Sequence, residues 1–364
     1  MPTFRFSFRL RKTAKYVAKF TSIILITLLL VYYFITPSNH QQREEIHADS
    51  RRIFFHETSG RGNLNFKQCC AVESVAKHNP GRSVQLLISG DRLDVSNGPW
   101  MDILKDHYTN VEIISVDNDK YFSGSPFELW YEKGEWRQSR FRIAHLSDYI
   151  RLVSLYRHGG LYMDLDYVVL KPLNEKLLHN VLLVEGIDGQ QLNNGVMHFE
   201  PGHRLINDLI QHLAAEYDPE DYYLHGPTAL TNVYLRLCSS NGTGGTKKKS
   251  PMCPDVSLLS YKHFCPIGPP FWHLYFENAS DQSLSMINSS YGVHLWNFLS
   301  SNEPIRMGTV NCTPFWQLNI VQSLLKDSTN LFQHNYLCVF FYFALNKDHH
   351  VQHYTLINQM ISQK

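Results

Sequence analysis

Short apolar runs alternate with amphipathic stretches through the middle of the chain. Arg52–His56 (RIFFH) and Val84–Ser89 (VQLLIS) read as strands, with Phe66–Lys77 between them as a helix, a strand-helix-strand opening. Val111–Val116 is a third strand, and the charged, glycine-containing segment 117–138 reads as a surface connection. From Gln138 to His158 the apolar positions Leu146, Tyr149, Ile150, Val153 and Tyr156 recur three and four residues apart. That spacing predicts an amphipathic helix closed by Gly159 and Gly160. Leu161–Leu170 (LYMDLDYVVL), Val181–Gly186 and Gly195–Glu200 follow as short strands, 201–215 as a helix, and Gly226-Pro227-Thr228 opens a further helical segment. The alternation predicts one α/β domain.

The two ends depart from this pattern. Arg5, Arg9, Arg11, Lys12, Lys15 and Lys19 make residues 1–19 a basic tail without acidic side chains, and residues 20–35 (FTSIILITLLLVYYFI) carry no charge. This is the pattern of a retained signal anchor with a cytoplasmic tail, since the run ends in bulky residues without a small-x-small cleavage site. A helix over 20–35 reaches only about 24 Å against a hydrocarbon core of about 30 Å, so either Lys19 snorkels or Val17 and Ala18 enter the span. Residues 36–50 are polar and read as a stem, leaving 51–306 as a lumenal catalytic domain. Sequons at Asn241, Asn278, Asn288 and Asn311 suit a lumenal glycoprotein. Residues 239–251 are loop-like, and 307–364 form an atypical terminal segment whose apolar run Asn335–Leu345 is too short to span a bilayer.

Composition narrows the chemistry. A net charge of +1 over 364 residues argues against a nucleic-acid binder. The nineteen histidines are scattered, with neither HExxH nor CxxC, so a zinc-hydrolase or zinc-finger signature is absent. Seven cysteines are an odd number, which leaves at least one free or bonded to another chain and raises the expectation of a homo-oligomer joined through it. Cys238 could close a loop with Cys253 or with Cys265, and spacing does not choose between them.

The sharpest local feature is Asp164-Leu165-Asp166, two carboxylates flanked by bulky apolar residues. Unpaired charges are expensive inside a strand, so the pair is expected where a strand ends or bends. A hard divalent cation would neutralise both and leave positions for phosphate oxygens, although the triplet alone is as compatible with a solvated turn. The preceding helix, the Gly-Gly break and the apolar strand put the pair at a junction of the kind where α/β sheets bind ligands. Asp148 and Arg151 are neighbours one turn apart on that helix, either as a plain salt bridge or as a nucleotide-facing pair.

The block Phe141–Leu173 (FRIAHLSDYIRLVSLYRHGGLYMDLDYVVLKPL) resembles the sugar-nucleotide region of the DxD-containing α-1,4-glycosyltransferases, the group of lactosylceramide 4-alpha-galactosyltransferase and its invertebrate N-acetylgalactosaminyltransferase relatives. The similarity runs from about Ile53, through IFFHETSG, NLNFKQCCAVESVAKHNP and NNGVMHFEPGH, to about Arg306. It implies a GT-A-like nucleotide-sugar-binding domain with a mixed, mainly parallel central sheet, in a single-pass type II protein of the Golgi membrane. The implied activity is Mn2+-dependent, retaining transfer of galactose or N-acetylgalactosamine from a UDP-sugar to a terminal β-linked sugar of a glycolipid.

Carried over by position, Asp166 is the main metal ligand and Asp164 bridges metal and ribose. Arg142, Asp148, Arg151, Gly160 and Tyr162 match the donor-site block. Asn193 and Asn194 face the donor sugar, His225-Gly226-Pro227 lines the acceptor cleft, and His294 approaches the diphosphate and the metal. Where the family ends in a helix with a Cys-Pro pair, this chain instead runs NCTPFWQLNIVQSLLKD. The alternatives are a related transferase using another nucleotide sugar on a protein-linked glycan, and a non-catalytic membrane-anchored sugar-binding protein.

Overall fold

The computed structural model describes residues 50–89, 99–175, 178–185, 191–222, 224–238, 253–277 and 281–304. Strands β1 (Ile53–Glu57), β2 (Val84–Ser89) and β3 (Val111–Val116) are joined through helices α1 (Phe66–His78) and α2 (Pro99–His107). Every residue of β1 and β2 is buried, as a strand covered on both faces requires. Alternate side chains enter opposite layers: Ile53, Phe55, Val84, Leu86 and Ile88 pack towards α1 and α2, while Phe54 and Leu87 pack on the other face. Helix α1 starts at a capping box in which the Asn65 side chain accepts from Gln68 N and the Gln68 side chain accepts from Asn65 N.

Residues 117–138, expected as a surface connection, instead fold into α3 (Asn118–Phe122), α4 (Glu128–Lys133) and a 3-10 turn, Glu135–Gln138. Phe122, Phe127, Trp130 and Trp136 are buried there, and Trp130 stacks on Tyr149 with ring centroids 3.8 Å apart. Elements of four to six residues show too few turns for their apolar positions to repeat, so aromatic burial stabilises them without leaving a period. Helix α5 (Arg142–His158) then crosses the sheet and ends at Gly159. Gly159 has φ +67°, and a Cβ there would lie 2.6 Å from the Pro201 ring, so the position requires glycine on both counts.

The expected run 161–170 divides into β4 (Gly160–Met163) and β5 (Tyr167–Val169), with the two aspartates between them. They are followed by β6 (Val181–Glu185) and β7 (Gln191–Phe199), which starts four residues before the expected Gly195. Next come α6 (Arg204–Ala215), a π-helical turn over Leu224–Thr228, α7 (Ala229–Cys238) and β8 (Ser257–Leu259), and then α8 (Asp281–Asn288), β9 (Gly292–His294) and α9 (Asn297–Ser300). The main sheet has the order β3-β2-β1-β4-β7-β6-β8, antiparallel where β7 meets β4 and β6 and parallel elsewhere, and β5 pairs with β9 in a second, two-stranded sheet. The mixed, largely parallel GT-A-like α/β expectation therefore holds for the domain.

The membrane part of the expected fold is corrected. Among the described residues no helix is long and apolar enough to cross a membrane, and the single-pass type II topology and Golgi placement have no support there. The expected anchor at 20–35 lies outside the described residues, as do the loop 239–251 and the segment 307–364. Cys238 pairs with Cys253, deciding the choice left open by spacing, and Cys69, Cys70 and Cys265 are free but buried, so none of these three can reach a second chain. The cysteine-linked oligomer has no support among the described residues.

Candidate active site

Strands β1 to β4 run parallel, so their carboxyl ends share one edge of the sheet, where open α/β sheets take ligands. Along that edge lie four buried polar atoms without a hydrogen-bond partner among the described residues: His56 Nδ1 and Glu57 Oε2 at the end of β1, Ser89 Oγ at the end of β2, and Asn118 Oδ1 just past β3. Orphaned groups of this kind are costly unless something else satisfies them. Asp164 continues the same edge immediately after β4.

Asp164 is held from three sides. Its backbone N donates to Gly195 O (2.8 Å), extending the β4–β7 pairing by one residue, while its Oδ1 accepts from Tyr162 Oη and lies 3.2 Å from Arg151 Nη1. Gly195 is required by this approach, because a Cβ there would lie 2.6 Å from Asp164 Oδ2 and 3.0 Å from Asn193 Oδ1.

Arg151 is the hub of the cluster. From α5 it donates to Ser147 O (3.0 Å), Ser147 Oγ (2.9 Å) and Asn194 O (2.8 Å), pairs with Asp148 Oδ1 (3.1 Å) and lies 4.5 Å over the Tyr162 ring. Burial opposes its charge, but Asp164, Tyr162 and Asp148 outweigh that and raise its pKa. Burial pushes the Asp148 carboxyl up, against the pull of Arg151, and pushes the Tyr162 phenol well up. Asp148 Oδ1 also accepts from Asn194 Nδ2 (2.8 Å), so the pair belongs to a cluster that reaches β7 rather than being an isolated helix salt bridge.

Asp166 engages different partners. Its Oδ2 faces His294 Nε2 (3.2 Å) and accepts from Asn297 N (2.8 Å), and its backbone O accepts from Leu295 N (2.9 Å). The β5–β9 register sets His294 opposite Tyr167, on whose ring it stacks with centroids 4.1 Å apart, and Trp296 covers it from 3.8 Å. Burial disfavours both charges, but their mutual attraction wins: His294 is raised well above its usual pKa and Asp166 is lowered.

Asn193 Oδ1 accepts from Gly195 N (2.7 Å) and Tyr167 Oη (3.1 Å), and its Nδ2 donates to Glu185 Oε2 (3.2 Å). Gly226 abuts the same cluster, since a Cβ there would lie 2.9 Å from Asn194 Nδ2 and 3.4 Å from Asp148 Oδ2. His225 itself is buried and turned to Asp218 O (2.7 Å) and Tyr149 Oη (3.4 Å). Arg142, in the first turn of α5, is exposed and outside the buried cluster.

Sequence reasoning missed Ser147, Tyr167, Glu185 and Asn297. The i,i+4 spacing of Ser147 and Arg151 was a usable signal, whereas Asn297 acts through its backbone N–H and leaves no trace in residue type.

As a metal centre the site is incomplete by itself. Among the described residues no group of three or more His, Cys, Asp or Glu side chains could hold a metal ion, and Asp164 Oδ1 is engaged by Arg151 and Tyr162. Asp166 and His294 nevertheless offer one carboxylate and one imidazole side by side. A divalent cation bound through few protein ligands and completed by substrate phosphates and water fits such a pair.

Residues 66–183 match the model of the glycosyltransferase sugar-binding region containing the DXD motif, and residues 198–313 match the alpha 1,4-glycosyltransferase conserved region. The chain is 30% identical to rat lactosylceramide 4-alpha-galactosyltransferase over 308 residues, covering 79% of this chain and 83% of that protein. It is 30% identical to the human protein of the same name over 250 residues, covering 67% and 68% of the two chains. Human alpha-1,4-N-acetylglucosaminyltransferase is 27% identical over 274 residues, covering 73% of this chain and 78% of that one.

Proposed function

The chain belongs to the DXD-motif GT-A glycosyltransferases related to lactosylceramide 4-alpha-galactosyltransferase, and from that premise we propose that it is a retaining hexosyltransferase. Galactose or N-acetylgalactosamine passes from a UDP-sugar, in α-1,4 linkage, to a terminal β-linked sugar of a glycosphingolipid such as lactosylceramide. The observation that carries this reading is the carboxyl edge of β1 to β4, where atoms of His56, Glu57, Ser89 and Asn118 without a partner among the described residues run up to Asp164 and the Arg151 cluster. A nucleoside diphosphate supplies donors and acceptors along its length and would satisfy such a row.

The residues then divide the work. Asp166 would hold a divalent cation, Mn2+ in this proposal, with His294 joining it as the cation replaces the proton shared with Asp166, and the cation would neutralise charge on the leaving diphosphate. Arg151 brings a fixed cation to the same edge and cannot relax away from it, since Ser147, Asp148, Asp164 and Asn194 engage its guanidinium. Asp164, steadied on one oxygen by Tyr162 and Arg151, presents the other to the ribose side of the donor. Asn193 and Asn194 orient the sugar. Glu185 accepts from the Asn193 amide, and retention is assigned to front-face attack. In that step the acceptor hydroxyl forms the new bond to the anomeric carbon as the bond to UDP breaks, and a departing phosphate oxygen takes the acceptor's proton.

The deciding experiment uses the purified full chain with UDP-Gal, UDP-GalNAc, UDP-GlcNAc and GDP-Man, offered with lactosylceramide or a GalNAc-terminated glycolipid, with and without Mn2+. Metal-dependent transfer from UDP-Gal or UDP-GalNAc with α product is expected. Turnover preserved under chelation, or transfer only from GDP-Man, would refute the assignment.

A further inference from the structure

Beside the buried cluster, three aromatic rings from three chain segments meet at the surface. Phe141 caps the start of α5, Tyr222 precedes the His225-Gly226-Pro227 turn, and Phe298 follows Asn297 in α9. Tyr222 stacks on Phe298 with centroids 5.2 Å apart and planes inclined by 27°, and Phe141 meets Tyr222 from 5.2 Å. Phe298 is 70% exposed and, with Tyr222 and Phe141 against it, forms a contiguous aromatic patch rather than a lone exposed ring.

Two of the rings adjoin the cluster. Asn297 N bonds Asp166 directly before Phe298, and the Tyr222 phenol is among the groups that favour the Arg151 charge, while Phe141 precedes the exposed Arg142. The rim is polar: Arg142 and Asp221 are exposed, and Arg140 lies over Phe141 while reaching Glu220. An apolar aromatic floor with a charged edge, opening beside a cluster that would hold the donor, suits a ring whose C–H face is apolar and whose hydroxyl edge is polar. A hexose has that form.

We propose that Tyr222 and Phe298, with Phe141 behind them, form a stacking platform for a sugar ring of the acceptor. The inference rests on the transferase reading above and goes beyond it by naming residues that select the acceptor. Phe298 acts as a binding residue, and its exposed side chain can be truncated without opening a cavity.

The test measures methyl β-lactoside binding to the full chain by calorimetry, with the KM values for UDP-Gal or UDP-GalNAc and for the lactoside measured in parallel. Phe298→Ala is expected to weaken lactoside binding and raise its KM about tenfold, with the donor KM altered less than twofold, and Phe298→Trp to restore both. Unchanged lactoside affinity and KM in Phe298→Ala would overturn the platform while leaving the transferase reading intact. Lactoside binding that depends on Phe298 without any UDP-sugar turnover would overturn the transferase reading and keep the platform. A concentration-dependent dimer in the native chain, lost in Phe298→Ala without change in sugar affinity, would reassign the patch to self-association and overturn the proposal.

Discussion

Arg151 Nη1 lies 3.2 Å from Asp164 Oδ1, joining the central helix to the turn after β4 through a buried cation. Removing the guanidinium leaves Asp148 and Asp164 without their shared counter-charge. Arg151→Met is expected to destabilise the fold by about 3–5 kcal/mol, the usual cost of breaking a buried pair from one side. Arg151→Lys keeps the charge but cannot reproduce the fork, so it should fold with weakened UDP binding. Urea unfolding with UDP titration separates the two effects, and unchanged stability in Arg151→Met would contradict the assigned role.

Gly195 offers an independent probe of Asp164. The Cβ of Gly195→Ala would come within 2.6 Å of Asp164 Oδ2 and 3.0 Å of the Tyr167 ring. Overpacking of this kind costs about 1–3 kcal/mol. Activity should fall more than thermal stability, because the displaced atom belongs to the site, and a variant with native kinetics would show that Asp164 has room to move freely.

Asp166→Asn removes a charge but preserves shape. Transfer is expected to fall by about 10²–10³, the scale of losing one preorganised electrostatic group, and Mn2+ affinity measured by electron paramagnetic resonance should drop in parallel. Retained Mn2+ affinity with lost transfer would separate Asp166 from the metal.

His145 makes stability depend on pH. Burial, reinforced by His225, lowers its pKa to about 4, while its nitrogens meet Tyr217 Oη and Asp221 O. The unfolded chain titrates near 6.5 and so binds more protons than the native state between about 4 and 6.5. The stabilising preference for the neutral ring is fully present above 6.5 and is lost as pH falls towards 4. Denaturation midpoints should decline over that window and decline less steeply in His145→Gln, whereas parallel slopes would exclude this histidine as the source.

Cys238 and Cys253 are separated by 15 residues. A bridge over such a span stabilises by about 3 kcal/mol through the unfolded state. Cys253→Ser should lower the unfolding free energy by about that much and leave donor affinity unaltered, since neither cysteine belongs to the site.

The α/β class, the strand-helix-strand opening, the long central helix and the placement of two aspartates at a junction are legible in the amino-acid order alone. These are local matters of periodicity, burial of apolar runs and the cost of charge inside a strand, and each is written in neighbouring residues. Residues 117–138 escaped this reading because their buried aromatics are spread over elements too short to repeat a period.

Which partner each aspartate takes follows from the packing of distant strands. The return of β7 beside β4 brings Asn194 and Gly195 to Arg151 and Asp164. The pairing of β5 with β9 sets His294 against Asp166 across 128 residues of sequence. Contacts of that separation depend on strand order and register, which no local spacing encodes, and so the two carboxylates of one triplet end in two different electrostatic environments.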